Sequence, residues 1–366
     1  MRVVILHPAL YLQVSGGAEV QIAYLASYLL KNRHEVHFIY EEKGIEITES
    51  TGFILHPVRK INIPGGLGKR WILYGRKIIF ELTQIKPEVI YTRFASSWAG
   101  FASLYSRKYS VRHVHSIASD TEFSLKISFW LLMRPLSVLD WWYYKNALKY
   151  ANKILVQNAY QGLTLQKKYK RMGILINQMT QEVDESLLCK GERIQILWIG
   201  NLKGVKCPEL FIELVHRLNY LEDKIKMIMI GRPSPKYLDM IALAERTYSY
   251  FQYLGELTHN KLYRIMNQSH LLINTSVNEG FSNTFVEAWM RKIPVLSMNA
   301  NPNNVITDNE IGYITKTIEE LSGKIDLLIT NRDLIDLMGQ RAFSYAIQNH
   351  AINKVMPKVL DILISD

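Results

Sequence analysis

The feature that most restricts this chain is an alternation, kept up along most of its length, between short β-branched apolar runs and longer stretches of helical periodicity. In the first half the apolar runs are Val3 to Leu6, Glu35 to Tyr40, Gly52 to His56, Val89 to Thr92, His113 to Ser116 and Lys153 to Val156, with helical segments such as Glu19 to Leu30 between them. The second half repeats the pattern with Ile194 to Ile199, Lys226 to Ile230, Ser249 to Leu254, Leu271 to Thr275 and Pro294 to Ser297. Strands separated by helices return by crossovers, which keep them parallel and cover the sheet with helices on both faces. Sheets of this kind take ligands at the carboxyl ends of their strands. At roughly 150 residues per domain, 366 residues exceed one module, so the sequence predicts an α/β protein of two doubly wound parallel-sheet domains.

The boundary is expected between Asn177 and Gly191, where the strand-like ILIN gives way to the polar, acidic QMTQEVDES. This divides the chain into domains 1–182 and 183–349, and the last helical stretch, Asp333 to Asp366, is long enough for residues 350–366 to pack back on the first domain. Apolar residues make up 48% and charged residues 21%, which excludes a disordered chain. The greasiest stretch, Ile127 to Tyr144, is interrupted by Arg134 and Asp140, so no membrane-spanning helix is expected. Two cysteines, Cys189 and Cys207, without CxxC spacing exclude a disulfide framework and fit a reducing compartment. The opening MRVVILHPALYLQVSGG has some signal-peptide character, but His7 and Pro8 break its apolar run. It reads as a buried strand followed by a glycine turn, and a cytoplasmic location is expected.

Charge is unevenly spread. Residues 1–180 hold 24 Lys and Arg against 11 Asp and Glu, residues 181–366 hold 20 against 22, and the net +11 therefore arises in the first half. A one-sided basic field attracts nucleic acid, anionic lipid or a phosphorylated substrate. Lys69, Arg70, Arg76 and Lys77 lie among Trp71 and Tyr74, and Trp130, Trp141 and Trp142 follow further on. Such interleaving suits a lipid headgroup surface, where each cation contributes about 1 kcal/mol. Core packing is the alternative for the tryptophans.

The segment NTSVNEGFSNTFVEAW, residues 274–289, is the most informative about chemistry: a strand ends, a polar glycine-containing loop follows and a helix begins. Glu279 lies in the loop and Glu287 in the expected first turn of the helix, so both can face the crevice above the sheet. The N–H groups of Phe281, Ser282, Asn283 and Thr284 would be unpaired at the helix start and aimed at the same crevice, where the helix dipole favours an anion such as phosphate. Carboxylates there suit vicinal sugar hydroxyls, since each accepts two hydrogen bonds. Thr284-x-x-Glu287 also fits a capping box, in which Glu287 would merely satisfy the helix start. Gly16 and Gly17 sit between strand and helix, where backbone can approach a phosphate or sugar or simply turn. Glu19 then favours the helix dipole.

This loop, EGFSNTFVE, resembles the Glu, seven residues, Glu signature of the family 4 retaining glycosyltransferases. SGGAE (15–19), IGNLKGVKCPELFIEL (199–214) and YLGEL (253–257) occur with it in the family's order, so the resemblance covers nearly the whole chain. It implies the GT-B architecture, two Rossmann-like domains facing across a cleft, the first binding the acceptor and the second a nucleoside-diphosphate sugar. Within it Glu279 contacts the transferred sugar, Glu287 holds the nucleotide ribose, and the turn Gly280 to Thr284 offers backbone donors to sugar and diphosphate. Lys206 stands where the family places a phosphate-gripping lysine, but Asn201 occupies the place of its arginine, which leaves Lys203 as the candidate second cation. Lys206 read without the family is also an ordinary surface lysine. His115 resembles the family's strand-end histidine facing donor and acceptor, although a strand-end histidine is more often structural; Asp120 is the runner-up. Gly231 and Arg232, after the strand MIMI, are candidates for touching the nucleotide.

The resemblance implies transfer of a sugar to a glycan or lipid-linked saccharide in cell-surface polysaccharide synthesis, on the cytoplasmic side and peripheral to the plasma membrane. Fixed cations stabilise the charge that grows on a departing diphosphate without a metal, and Asp-x-Asp, HExxH and Walker A patterns are absent, so no metal or other cofactor is expected. A sugar-nucleotide epimerase or hydrolase of the same fold is the nearest alternative. A nicotinamide enzyme is disfavoured because the first turn lacks GxGxxG. A non-catalytic nucleic-acid-binding protein explains the basic half but not the loops of the second domain, and no nucleic acid is expected as partner.

Overall fold

The computed structural model describes residues 1–13, 16–44, 52–62, 67, 70–123, 134–277 and 279–365. The chain divides into two compact units, Met1–Asn177 with Val355–Asp366, and Gln178–Lys354. The division falls five residues before the expected one because Gln178 and Thr180 are anchored in the second unit. The Gln178 side chain donates to the Phe281 carbonyl, and Thr180 pairs with Ala351. The last helix, Ile352–Ile364, starts in the second unit, and its residues from Val355 belong to the first.

The first unit contains a parallel sheet of β1 (Arg2–Leu6), β2 (Glu35–Glu41), β3 (Ile54–Val58), β4 (Val89–Arg93), β5 (Arg112–Ser116), β6 (Lys153–Val156) and β7 (Ile174–Leu175). Their order is β3-β2-β1-β4-β5-β6-β7. Helices Gly17–Lys31, Gly75–Ile85, Ser97–Tyr109, Pro135–Tyr150 and Ala159–Tyr169 connect them. The central strands β1 and β4 are buried on both faces, which is why Val3 to Leu6 reads as an unbroken apolar run and not as an alternating one. Val4, Leu6 and Ile90 pack against Ile78, Leu82 and Trp98 on one side.

The second unit is built from β8 (Ile194–Ile199), β9 (Ile225–Ile230), β10 (Phe251–Tyr253), β11 (Leu271–Asn274), β12 (Val295–Met298) and β13 (Gly312–Thr315), in the parallel order β10-β9-β8-β11-β12-β13. Successive side chains enter opposite cores: Ile196 and Trp198 meet Phe211 and Leu214, while Leu197 joins Phe285, Val286 and Trp289. The strand β13 was not expected, because Gly312-Tyr-Ile-Thr lacks an apolar run. It forms because Gly312 lies against the β12 backbone, where a Cβ would come 1.9 Å from the Val295 carbonyl oxygen.

Helices Ser97–Tyr109 and Pro135–Tyr150 meet at Gly100, where a Cβ would fall 2.1 Å from the Tyr143 carbonyl oxygen. Backbone cannot yield there as a flexible side chain would. Gly100→Ala is expected to destabilise the protein by about 1–3 kcal/mol through overpacking. Urea unfolding should show a lower midpoint at unchanged m.

Candidate active site

In the second sheet the strand order reverses between β8 and β11, and loops leave both carboxyl ends at that point. Trp198, near the end of β8, donates its indole N–H to Thr275 Oγ1 at 2.9 Å. The Thr275 hydroxyl donates to the carbonyl of Lys206 at 2.7 Å, with that of Cys207 at 3.0 Å. The Val277 N–H donates to the Val205 carbonyl at 3.1 Å. One threonine thus ties the loop after β8 to the loop after β11. The consequence is an ion pair between Lys206 Nζ and Glu279 Oε2 at 2.5 Å, the two side chains being 27% and 16% exposed. Cys207, at φ 44°, turns the chain into the helix Pro208–Arg217, whose first residue is a proline that has no N–H to leave unpaired.

The other residues singled out in this unit lie as follows. Asn201 is exposed, and its carbonyl accepts from the Lys203 N–H at 2.8 Å. Lys203 is exposed and forms no ion pair with the described residues, whereas Lys206 is partly buried. Gly231 approaches the same turn so closely that a Cβ would stand 1.8 Å from the Gly200 carbonyl oxygen. Arg232 is half exposed and paired with Glu256 at 2.7 Å. Gly280 is partly buried in the loop, and the Phe281 side chain packs in the core against Trp289 and His350.

The helix after the loop spans Asn283–Trp289 with Ser282 as its N-cap, and the Ser282 and Thr284 hydroxyls are 2.8 Å apart. Thr284 is therefore inside the helix and the capping-box alternative for Glu287 fails. Glu287 belongs to the second turn, not the first. It is 5% exposed, and burial pushes its carboxyl up to about 7 against the opposing pull of Arg291 and a long, 3.4 Å hydrogen bond from Tyr263. Arg291, also buried, donates to the Glu287 carbonyl at 2.9 Å and to Asn267 Oδ1 at 3.0 Å, and stacks 4.1 Å above the Tyr263 ring. Sequence reading missed Thr275, Tyr263 and Arg291.

In the first unit, Gly16 is the extended N-cap of helix Gly17–Lys31, and the Glu19 carboxylate folds back to where a Gly16 Cβ would be. Gly17 is exposed. His115 corrects the expectation that it faces a crevice. It is fully buried in β5 with both ring nitrogens engaged: Nδ1 lies 2.9 Å from Thr92 Oγ1 and Nε2 lies 3.2 Å from Tyr144 Oη. Tyr144 donates to Glu122 Oε2 at 2.8 Å, so its oxygen accepts from His115 Nε2, and Nδ1 accepts from Thr92. Thr92 in turn accepts from His113 Nε2 at 2.7 Å, and His113 Nδ1 accepts from Ser103 at 2.8 Å. With Glu122 ionised, every proton in this chain has one direction, and both imidazoles are neutral. Burial beside Arg93 holds His115 down at about 3, which agrees. Asp120 accepts from Asn158 at 3.0 Å and Gln161 at 2.8 Å.

Two parallel-sheet units, each with loops gathered at strand carboxyl ends, match known folds along their full length. The chain is similar to the sucrose-phosphate synthase of Thermosynechococcus elongatus (TM-score 0.80, 12% identity, 99% of this chain and 98% of that one). It is also similar to WaaG, a glycosyltransferase involved in lipopolysaccharide biosynthesis (TM-score 0.77, 15% identity, 100% of both chains), and to Anabaena HepE in complex with UDP (TM-score 0.74, 13% identity, 100% of both). The fold is that of the GT-B glycosyltransferases. Residues 15–171 match the model of Glycosyltransferase Family 4 and residues 179–345 that of the group 1 glycosyl transferases. The chain belongs to the family 4, group 1 glycosyltransferases. A curated relative from Xenopus tropicalis, Glycosyltransferase 1 domain-containing protein 1, is 24% identical over 155 residues, 42% of this chain and 45% of that protein. The chain thus matches less than half the length of that relative.

Burial pushes the Glu122 carboxyl up to about 7 from an ordinary 4.5, so the folded state holds its proton more tightly than the unfolded chain. The stability it contributes is full below the unfolded value and is lost as pH rises through about 7. Glu122→Gln removes that dependence. Urea midpoints measured from pH 5 to pH 8 should show the wild type's advantage over E122Q shrinking as pH rises; parallel profiles would contradict the linkage.

Proposed function

We propose that this chain is a retaining glycosyltransferase that moves a sugar from a nucleoside-diphosphate sugar to a glycan or lipid-linked saccharide. The observation that carries this reading is the Lys206–Glu279 pair at the reversal of strand order in the second sheet. Similar structures hold UDP and UDP-glucose, which supports a nucleotide-sugar donor. The anomeric carbon separates from the phosphate oxygen while the acceptor oxygen bonds on the same face, and the acceptor proton passes to the departing phosphate. Negative charge then grows on the diphosphate. Lys206 meets it once released from Glu279, and the exposed Lys203 supplies the second cation. Glu279, freed of its ion pair, accepts from hydroxyls of the transferred sugar, and Glu287 accepts from the ribose. In this reading the lysines do the work that a metal ion does elsewhere, and Glu279 positions without attacking.

Thermal stabilisation across a panel of UDP, GDP and ADP sugars tests the donor by mass action. The donor so found should be turned over by the wild type. Glu279→Ala should keep the fold and lower kcat by about 100-fold or more, the scale for removing a group that acts on the transition state. Near-normal turnover by E279A would refute the role.

We further propose a peripheral membrane role in cell-surface polysaccharide synthesis. Among the described residues no helix is long and apolar enough to cross a membrane. Several residues that suggested a lipid surface are placed otherwise: Tyr74 is buried, Arg70 pairs with buried Glu41, Trp71 and Trp141 pack against the cores, and Lys69 and Trp130 lie outside the described residues. The support comes instead from helices Gly75–Ile85 and Pro135–Tyr150, both packed against Ser97–Tyr109. They expose Phe80 (53%) and Trp142 (57%) beside Arg76, Lys77 and Lys149, with Lys145 3.8 Å above the Trp141 ring. Vesicle flotation should show binding to phosphatidylglycerol-containing vesicles that Trp142→Ala with Lys149→Glu weakens. Equal binding to neutral vesicles would remove the anionic surface as partner.

A further inference from the structure

Glu287 is buried to 5% exposure, which is the environment in which a carboxylate is least easily kept charged. Yet the hydroxyls of a ribose diol donate, and a carboxylate accepts from both only when ionised; a protonated acid turns one of its oxygens into a competing donor. The question is what keeps that group charged and aimed. The charged and titratable groups facing it are Arg291, just beyond the end of its own helix, and Tyr263, from the neighbouring helix His259–Asn267.

Arg291 is itself 5% exposed and is fixed in three ways. Nη1 donates to the Glu287 carbonyl at 2.9 Å, Nε donates to Asn267 Oδ1 at 3.0 Å, and the guanidinium plane lies 4.1 Å from the Tyr263 ring centre. The Tyr263 hydroxyl, on the far edge of that ring, donates to Glu287 Oε1 at 3.4 Å. Arg291, Tyr263 and residue 287, the last through both its backbone carbonyl and its carboxylate, therefore form a closed frame between two helices. One carboxylate oxygen is occupied by Tyr263, and a buried cation stands behind the other groups without bonding the carboxylate itself.

We propose that Arg291, braced on the Tyr263 ring and Asn267, is a positioning residue that favours the ionised form of Glu287 and aims it, and so decides the pH range over which the ribose of the donor is held. This rests on the reading of Glu287 as the ribose-binding group. Arg291 acts through Glu287, whose carbonyl it holds at 2.9 Å. A guanidinium suits this place because its planar fork bonds a carbonyl and an amide while its face stacks on the ring; an ammonium of equal charge does one of these at a time.

The test uses UDP and 2′,3′-dideoxy-UDP, which carry the same diphosphate and differ in the two ribose hydroxyls, titrated calorimetrically from pH 5.5 to pH 8.5. For the wild type the preference for UDP over its dideoxy analogue should set in as pH rises through about 7. Arg291→Gln should move that midpoint up by about one pH unit, the lower end of the effect of a neighbouring opposite charge. At pH 7 this appears as an about fivefold loss of UDP affinity that recovers by pH 8.5. Binding of the dideoxy analogue should be unaltered. Arg291→Lys keeps the charge but not the fork, so it should retain the wild-type midpoint and lose UDP affinity at every pH; it carries the test if R291Q does not fold. A folded R291Q with the wild-type midpoint, or an R291K indistinguishable from wild type, overturns the positioning role while leaving the nucleotide site in place. A wild type with no preference for UDP over the dideoxy analogue at any pH overturns the ribose reading, and the proposal with it.

Discussion

The site in the second unit depends on one hydroxyl. Thr275 accepts the Trp198 indole N–H and gives its own proton to the backbone turn at Lys206 and Cys207, so a core tryptophan, a strand end and a loop are joined through a single oxygen. The Trp198 indole and the Thr275 hydroxyl are buried, and losing that hydroxyl would leave the indole N–H without its partner, at about 1–3 kcal/mol, while the Cys207 carbonyl would keep the Leu210 N–H at 3.1 Å. A parallel sheet makes this junction available because reversing the strand order at β8 and β11 leaves neighbouring loops departing in opposite directions from adjacent strand ends. The lysine on one loop and the glutamate on the other are brought together by the backbone, not by each other's charge.

The two acidic residues, with seven residues between them, then live in different media. Glu279 is partly exposed and satisfied by a cation, an arrangement that a stronger anion can displace. Glu287 is enclosed, with its carboxyl pushed up to about 7 and the nearest cation directed at its backbone. A group poised between its charged and neutral forms responds to small changes in its surroundings, which is why residues behind it matter as much as the carboxylate.

In the first unit the polar groups do a different job. Ser103, His113, Thr92, His115, Tyr144 and Glu122 form a run of hydrogen bonds that crosses from helix to sheet to helix and ends on backbone N–H groups of Ala118 and Ser119. With Glu122 ionised the run has one donor direction and sets the tautomers of both histidines, and in either state it ties the loop after β5 to the core. His115 belongs to that framework.

The class of fold is legible in the chain's local periodicity, since apolar strands alternating with helices admit a helix-covered parallel sheet. The sequence also marked the loop with Glu279 and Glu287 and the turn with Lys206, because loop glycines and charged residues at strand ends stand out against apolar surroundings. It missed β13, whose four residues hold no apolar run and which exists because Gly312 fits against β12. It misplaced His115 and much of the aromatic cluster, because whether a polar or aromatic side chain faces a crevice, a core or water depends on partners far away in the chain, such as Tyr144 and Glu41. Contacts between distant elements make Thr275 the junction and put Arg291 and Tyr263 behind Glu287. Those roles arise from contacts between elements that no local pattern records, and burial, which sets the charge of each group, is a property of the folded whole.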